Sequence, residues 1–423
     1  MIEGPENLFV EGNPPLSIPL AIELDRAQRR CRLDINGTKV ELERGQLSDW
    51  VTLSFKVAPG MSVKGLCRMM VTEMEEHFSL YITPLNIDPE SPAMPISHPS
   101  YYSTYLAKKI GPYSTLGLAE DTWALNERVA DDNTFLKLTN DIDDERRAMF
   151  FAALERLREG ALVCVFDATD RIQHMFWRDL EPDHPAALEL GNGRATNAIE
   201  DLYKRNDELI GKVMGTLRKG DLLFVISDHG FTSFRRGVNL NTWLLENGYL
   251  TLREGADGSA EWLRDVDWSK TKAYALGLTG MFLNVRGREA MGTVDKSEVD
   301  ALKAEIMAKL KGLRDEETGK IGINEAFDTA KLYQGPYLTN APDLLIGYNH
   351  GYRTSWDCAS GVVAGSVFEN NTKAWSGDHC VDPREVPGVV FCSQPIPSDD
   401  PALMDIAPTA LKLFGVEPPA HMD

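Results

Sequence analysis

The chain is 423 residues long, 43% hydrophobic and 26% charged, enough for a packed core and for two or three domains. That balance excludes a disordered chain, a collagen-like repeat and a small disulfide scaffold, and no run of about 18 apolar residues offers a membrane span. A formal charge of −20 repels nucleic acid polymers and anionic lipid, so a phosphate-bearing ligand would need local cations, metal ions foremost.

Residues 1–85 read as a β-rich accessory subdomain. Cys31-Arg-Leu-Asp-Ile35 and Thr38-Lys-Val-Glu-Leu42 alternate apolar and polar residues around Asn36-Gly37. Asn-Gly supplies the two positive-φ positions of a tight hairpin turn. Alternation recurs at 51–57, 66–71 and 78–82. Five prolines between 84 and 99 then punctuate the chain before a helical, charged stretch over about 101–158.

Residues 161–166 form a continuous apolar run, as expected of a strand buried on both faces. Residues 194–218 place Ile199, Leu202, Tyr203, Ile210, Val213, Met214 and Leu217 on one helical stripe, and 222–226 is a second apolar run. Strand, helix and strand at this spacing predict a βαβ unit with parallel strands. Runs at 344–346 and 388–391 look like further strands of the same sheet, and helices are expected after Ser297 and Asp405. The charged residues 251–340 interrupt the series as a cap or insertion. The expected class is therefore α/β: a mostly parallel sheet flanked by helices, its core in two parts (86–250 and 341–423), with the β-rich subdomain and the cap as accessories.

Six cysteines (Cys31, Cys67, Cys164, Cys358, Cys380, Cys392) show no zinc-knuckle spacing and read as reduced, buried thiols. Met1-Ile2-Glu3-Gly4-Pro5 lacks the pattern of a signal peptide, so a cytoplasmic location is expected.

Polar residues follow both apolar runs of the βαβ unit. Asp170 and His174 are four apart, so on a helix they share one face and can grip one ion. Asp228-His229-Gly230 follows the second run, and His379 sits later in Trp375-Ser-Gly-Asp378-His379. Strand carboxyl ends are where open α/β sheets bind ligands. Singly, each pair also reads as a turn or a cap. Jointly they read as ligands for Zn²⁺ or Mn²⁺.

In that order, Asp170-x-x-x-His174, Asp228-His229-Gly230 and Gly377-Asp378-His379 resemble the alkaline phosphatase superfamily, and within it the type I phosphodiesterase/nucleotide pyrophosphatase branch. The stretch Thr169-Asp170-Arg-Ile-Gln-His174-Met-Phe-Trp177-Arg178 is similar to large bacterial and archaeal members, as are Gly287-Arg288-Glu289 and Ala341-Pro342-Asp343-Leu344. The likeness runs from about residue 78 to the C-terminus. It implies two divalent ions, Zn²⁺ or Mn²⁺. One would be held by Asp170, His174 and His379. The other would be held by Asp228 and His229, together with an Asp from the first strand of the sheet and a Thr or Ser nucleophile at a helix start. Two such cations activate a nucleophile and stabilise the leaving oxygen of a phosphate ester, through a covalent enzyme intermediate. Arg353 is a candidate for contacting substrate phosphate, although a loop arginine is more often a surface or structural ion-pair partner, and Asp378 and Asp167 read either as groups orienting His379 and the metal turn or as simple turn residues.

No strand–loop–helix with that nucleophile occurs in residues 1–160, where the nearest match, Asp34-Ile-Asn-Gly-Thr38, is the hairpin. The Thr or Ser is accordingly expected upstream of Met1, the chain reading as the C-terminal portion of a longer enzyme, or as a natural split or degenerate homologue, with one complete metal site and half of another. An unpaired apolar edge and self-association are expected with it. The function expected is a metal-dependent phosphohydrolase of the phosphodiesterase type acting on a small phosphate ester, with no membrane and no nucleic acid polymer as partner. A metal-dependent phosphomutase of the phosphoglycerate mutase kind shares the ligand scheme, and a non-catalytic metal-binding protein is the alternative from another class. A sulfatase fits less well.

Overall fold

In the computed structural model, which describes residues 1–190 and 197–422, the chain divides into two units, Met1–Ile172 and Gln173–Asp423. In the first unit, alternation dictates the strands. Arg30–Ile35 buries Cys31, Leu33 and Ile35 and exposes the residues between them, and it pairs antiparallel with Leu20–Asp25 and Thr38–Glu43. At the turn Asn36 and Gly37 take φ of 51° and 92°, and Asp34 Oδ1 accepts the Gly37 N–H. Val51–Ala58, Met61–Cys67 and Asn86–Ile87 form a second antiparallel sheet, and Met69–Glu73 pairs with Ser79–Ile82. Their inward residues, Leu33, Leu53, Phe55 and Met69 among them, close one core. The helical stretch resolves into Tyr102–Ile110, Thr122–Asn126 and Asp132–Leu154, the last capped by the Asp131 side chain accepting from the Thr134 N–H.

Residues 161–166 depart from expectation. They form no strand, and among the described residues no backbone hydrogen bond ties them to one. Leu162, Cys164 and Phe166 are half-buried, whereas Val163 is 85% and Val165 67% exposed. Apolar content alone cannot make a strand, because a ladder needs a second backbone about 4.8 Å away. The predicted parallel βαβ unit is therefore not formed.

In the second unit the sheets are mostly antiparallel, which corrects the expected parallel sheet. Phe224–Ser227 pairs antiparallel with Val389–Cys392. Thr232–Val238 pairs with Phe368–Asn370 and Gly377–Asp378 antiparallel, and with Gly351–Thr354 in the one parallel ladder between strands among the described residues. A five-stranded sheet runs in the order Ala273–Ala275, Gly280–Leu283, Leu344–Tyr348, Ile321–Asp328, Leu313–Arg314, all antiparallel. The runs at 344–346 and 388–391 thus belong to separate sheets. Between several of these strands the connections are short, and a short connection returns the chain antiparallel, whereas a parallel pair needs a crossover of a dozen residues or more.

Leu240–Glu246 and Val299–Leu310 cover the main core, where Leu244, Leu283, Ile306, Leu344 and Tyr348 meet. Ala198–Met214 buries Leu202, Leu209 and Val213, but Tyr203 and Met214 of the predicted stripe are exposed. Residues 194–196 of that predicted helix lie outside the described residues. The Gly287-Arg288-Glu289 and Ala341-Pro342-Asp343 segments turn out to clamp the sheet. Arg288 pairs with Glu289 at 2.7 Å and Asp343 at 2.6 Å, while the two carboxylates accept the Val285 and Leu283 backbone N–H groups. All six cysteines are free thiols, and no helix among the described residues is long and apolar enough to cross a membrane.

His184 carries a pH dependence of the fold. Its ring is buried, with Nε2–H donated to the Phe234 carbonyl and Nδ1 accepting the Ala186 N–H, both at 3.0 Å. Burial pushes the imidazole down to about 4. Between that value and its ordinary pKa of about 6.5 the unfolded chain binds a proton that the folded chain refuses. The stabilisation is therefore complete above about pH 6.5 and declines toward pH 4, by up to about 3 kcal/mol. Urea denaturation across this range should show a steeper pH slope for the wild type than for His184→Gln. Equal slopes would refute the assignment.

Candidate metal centre

Two segments of the chain come together around one helix. Ala168–Phe176 carries Asp170 and His174 one turn apart. Against it lies the loop of Trp375 to His379, and glycine is required at the crossing. A Cβ on Gly377 would stand 2.5 Å from the Gln173 carbonyl oxygen. With none there, the Gly377 carbonyl accepts Nδ1–H of His174 at 2.7 Å, and the Ser376 N–H reaches the His174 carbonyl at 2.7 Å. Asp170, His174 and His379 then each offer one ligand atom, all within 4.8 Å of one another.

The third segment, Asp228-His229-Gly230, leaves the strand Phe224–Ser227. A side chain on Gly230 would crowd the Pro387 carbonyl at 3.0 Å, so close passage of the chain rather than a left-handed turn explains this glycine. His229 donates Nδ1–H to the Gly230 carbonyl at 2.9 Å, and its ring lies flat on that of His379, centroids 3.6 Å apart and planes 11° apart. Asp228 stands 3.7 Å from His229 Nε2 with its side chain 68% exposed. Among the described residues, Asp228 and His229 join no group of three ligand atoms.

Asp378 works behind the ligands. One carboxylate oxygen accepts the backbone N–H of His379 at 2.8 Å and of Cys380 at 2.9 Å. The other accepts Trp375 Nε1–H at 2.8 Å and pairs with Arg353 Nε at 2.6 Å. Burial alone would raise this carboxyl, but Arg353 and the hydrogen bonds outweigh it and hold it at about 2. With both oxygens engaged in this way, the close grouping of Asp378, His379 and Cys380 reflects a turn.

Arg353 is buried among its partners. Its side chain is 2% exposed, locked on Asp378 and enclosed by the rings of Phe234 and Trp356 at 4.8 and 4.6 Å. Of its two readings, this geometry is that of the structural ion-pair partner. Asp167 lies 3.4 Å from Arg146 in an ion pair. Sequence reasoning passed over the aromatic walls: Trp375 lies over His174 with centroids 3.8 Å apart, and Phe231 meets His174 edge-on at 4.7 Å. Their only signal was adjacency to the motif residues, which carries no orientation.

The donor set fits a divalent ion of borderline character: one carboxylate and two imidazoles. The anchoring of His174 fits too, because a ring whose Nδ1–H is held by a carbonyl presents Nε2 as the donor atom, the arrangement that orients histidine ligands.

A family model described as Type I phosphodiesterase / nucleotide pyrophosphatase matches residues 50–363, about three quarters of the chain. That span includes Asp170, His174, Asp228 and His229 and stops short of His379. No curated protein matches the chain.

Proposed function

The chain belongs to the type I phosphodiesterase/nucleotide pyrophosphatase family of the alkaline phosphatase superfamily, whose members generally hydrolyse phosphate esters and usually use divalent metals, and from that premise we propose that it is a metal-dependent phosphoric ester hydrolase of the phosphodiesterase type. The observation that carries this reading is the convergence of His379, outside the matched span, on Asp170 and His174 inside it.

Asp170, His174 and His379 would hold one ion, and Asp228 with His229 would contribute to a second, zinc or manganese in either case. When bound, such ions supply charge neutralisation at the phosphate and a lowered pKa for the attacking oxygen. The chain's own residues do the rest. Gly377 fixes the His174 ring by its carbonyl, and Asp378 fixes the backbone of His379. Phe231 and Trp375 enclose His174 with apolar surface, which strengthens charge interactions there. A chain of net charge −20 favours a small ester over a polyanionic polymer.

Bis(p-nitrophenyl) phosphate is the direct test. Turnover with added Zn²⁺ or Mn²⁺ that stops on chelation is the expected result. Metal-independent turnover would contradict the reading, and metal binding without any turnover would favour a non-catalytic protein.

A further inference from the structure

Within the first unit, Glu120 is buried in a way that stability does not explain. It precedes the short helix Thr122–Asn126, its side chain is 1% exposed, and neither carboxylate oxygen has a hydrogen-bond partner among the described residues. A carboxylate in that state costs free energy. Its close cation is Arg171, with Nε at 3.6 Å. The same guanidinium donates through Nη1 to Asp170 Oδ1 at 3.2 Å. Arg171 is itself largely buried, 12% exposed. It therefore stands between two carboxylates, one of which is the proposed metal ligand.

A guanidinium beside a ligand carboxylate opposes a cation in two ways: it repels the incoming charge and competes for the same oxygen. Both effects shrink when a second carboxylate takes up the guanidinium. We propose that Glu120 is a positioning residue of the metal centre, engaging Arg171 and offsetting its charge so that Asp170 serves the ion rather than collapsing onto the guanidinium. The inference rests on Asp170 being a ligand. Burial raises the Glu120 carboxyl most and Asp167 raises it further, while its own backbone N–H, Arg171 and Arg146 lower it, so the comparison belongs at about pH 8, well above the ordinary carboxyl range.

The experiment is calorimetric titration of Zn²⁺ and Mn²⁺ into the metal-free full chain, with thermal melting alongside. Asp170→Asn should weaken binding more than about 100-fold and Glu120→Gln about 10- to 100-fold, the range for groups behind a ligand. The melting temperature of Glu120→Gln should stay level or rise, because a buried charge is removed while Arg171 keeps Asp170 as its partner. A residue that only supported the fold would lower both together. Arg171→Met alone should bind within about threefold of the wild type, and adding Glu120→Gln to it should change nothing further. Wild-type affinity in Glu120→Gln, or the full loss persisting in the Arg171→Met background, would overturn the proposal. Should Glu120→Gln fail to fold, a tenfold loss in Arg171→Met overturns it independently. Unchanged affinity in Asp170→Asn would instead remove the metal-ligand reading, and this inference with it.

Discussion

Replacing His379 by alanine is expected to lower the affinity of the centre for its divalent ion by more than about 100-fold and to bring phosphodiester turnover to background. Loss of a group behind a ligand already costs about 10- to 100-fold, and His379 is one of three donors in the set. Two donors do not make the four-coordinate environment that zinc prefers. The fold should survive, because the turn is held by the backbone N–H of residue 379 on Asp378, which alanine keeps. The His379 ring also stacks on His229 at 3.6 Å, so its removal loosens the half-site as well. Calorimetry, circular dichroism and turnover on one preparation decide the matter. A folded His379→Ala chain that binds metal as tightly as the wild type would remove His379 from the centre.

The second large effect falls on stability. Arg353→Met should cost about 3–5 kcal/mol, the range for removing one partner of a buried ion pair. The substitution keeps apolar volume between Phe234 and Trp356 but strands the Asp378 carboxylate, which is 2% exposed. That carboxylate must then remain charged without its counterion or take up a proton, and either outcome slackens the His379 turn. Arg353→Met combined with Asp378→Asn should recover more than half of the loss, since the uncompensated charge is the main penalty. Urea denaturation of the two variants measures both values. A single-variant cost below about 1 kcal/mol would mean that the pair does not hold the loop.

Legibility from sequence followed the range of the interactions. Strands such as Arg30–Ile35 could be read because alternation is local, and the Asn36-Gly37 turn because its chemistry lies within two residues. The spacing of Asp170 and His174 could be read for the same reason, one helical turn being a local ruler. Strand direction could not. The partner of Phe224–Ser227 is Val389–Cys392, and nothing in either run states which way the other passes. Arg353 kept two readings open because a loop-like Gly-Tyr-Arg does not disclose that it lies in a buried strand beside Thr232–Val238. Glu120 was invisible, since its meaning comes from Arg171 across a long stretch of chain.

The bond from His174 to Gly377 spans 203 residues. Bringing together points that far apart in an open chain costs on the order of 5 kcal/mol of entropy, and contacts of such sequence separation form slowly. An ion gripped by both His174 and His379 would close that loop much as a covalent cross-link does. The centre is then also a clasp in the topology of the chain, assembled late and, once filled, opposing the reopening of everything threaded between its two halves.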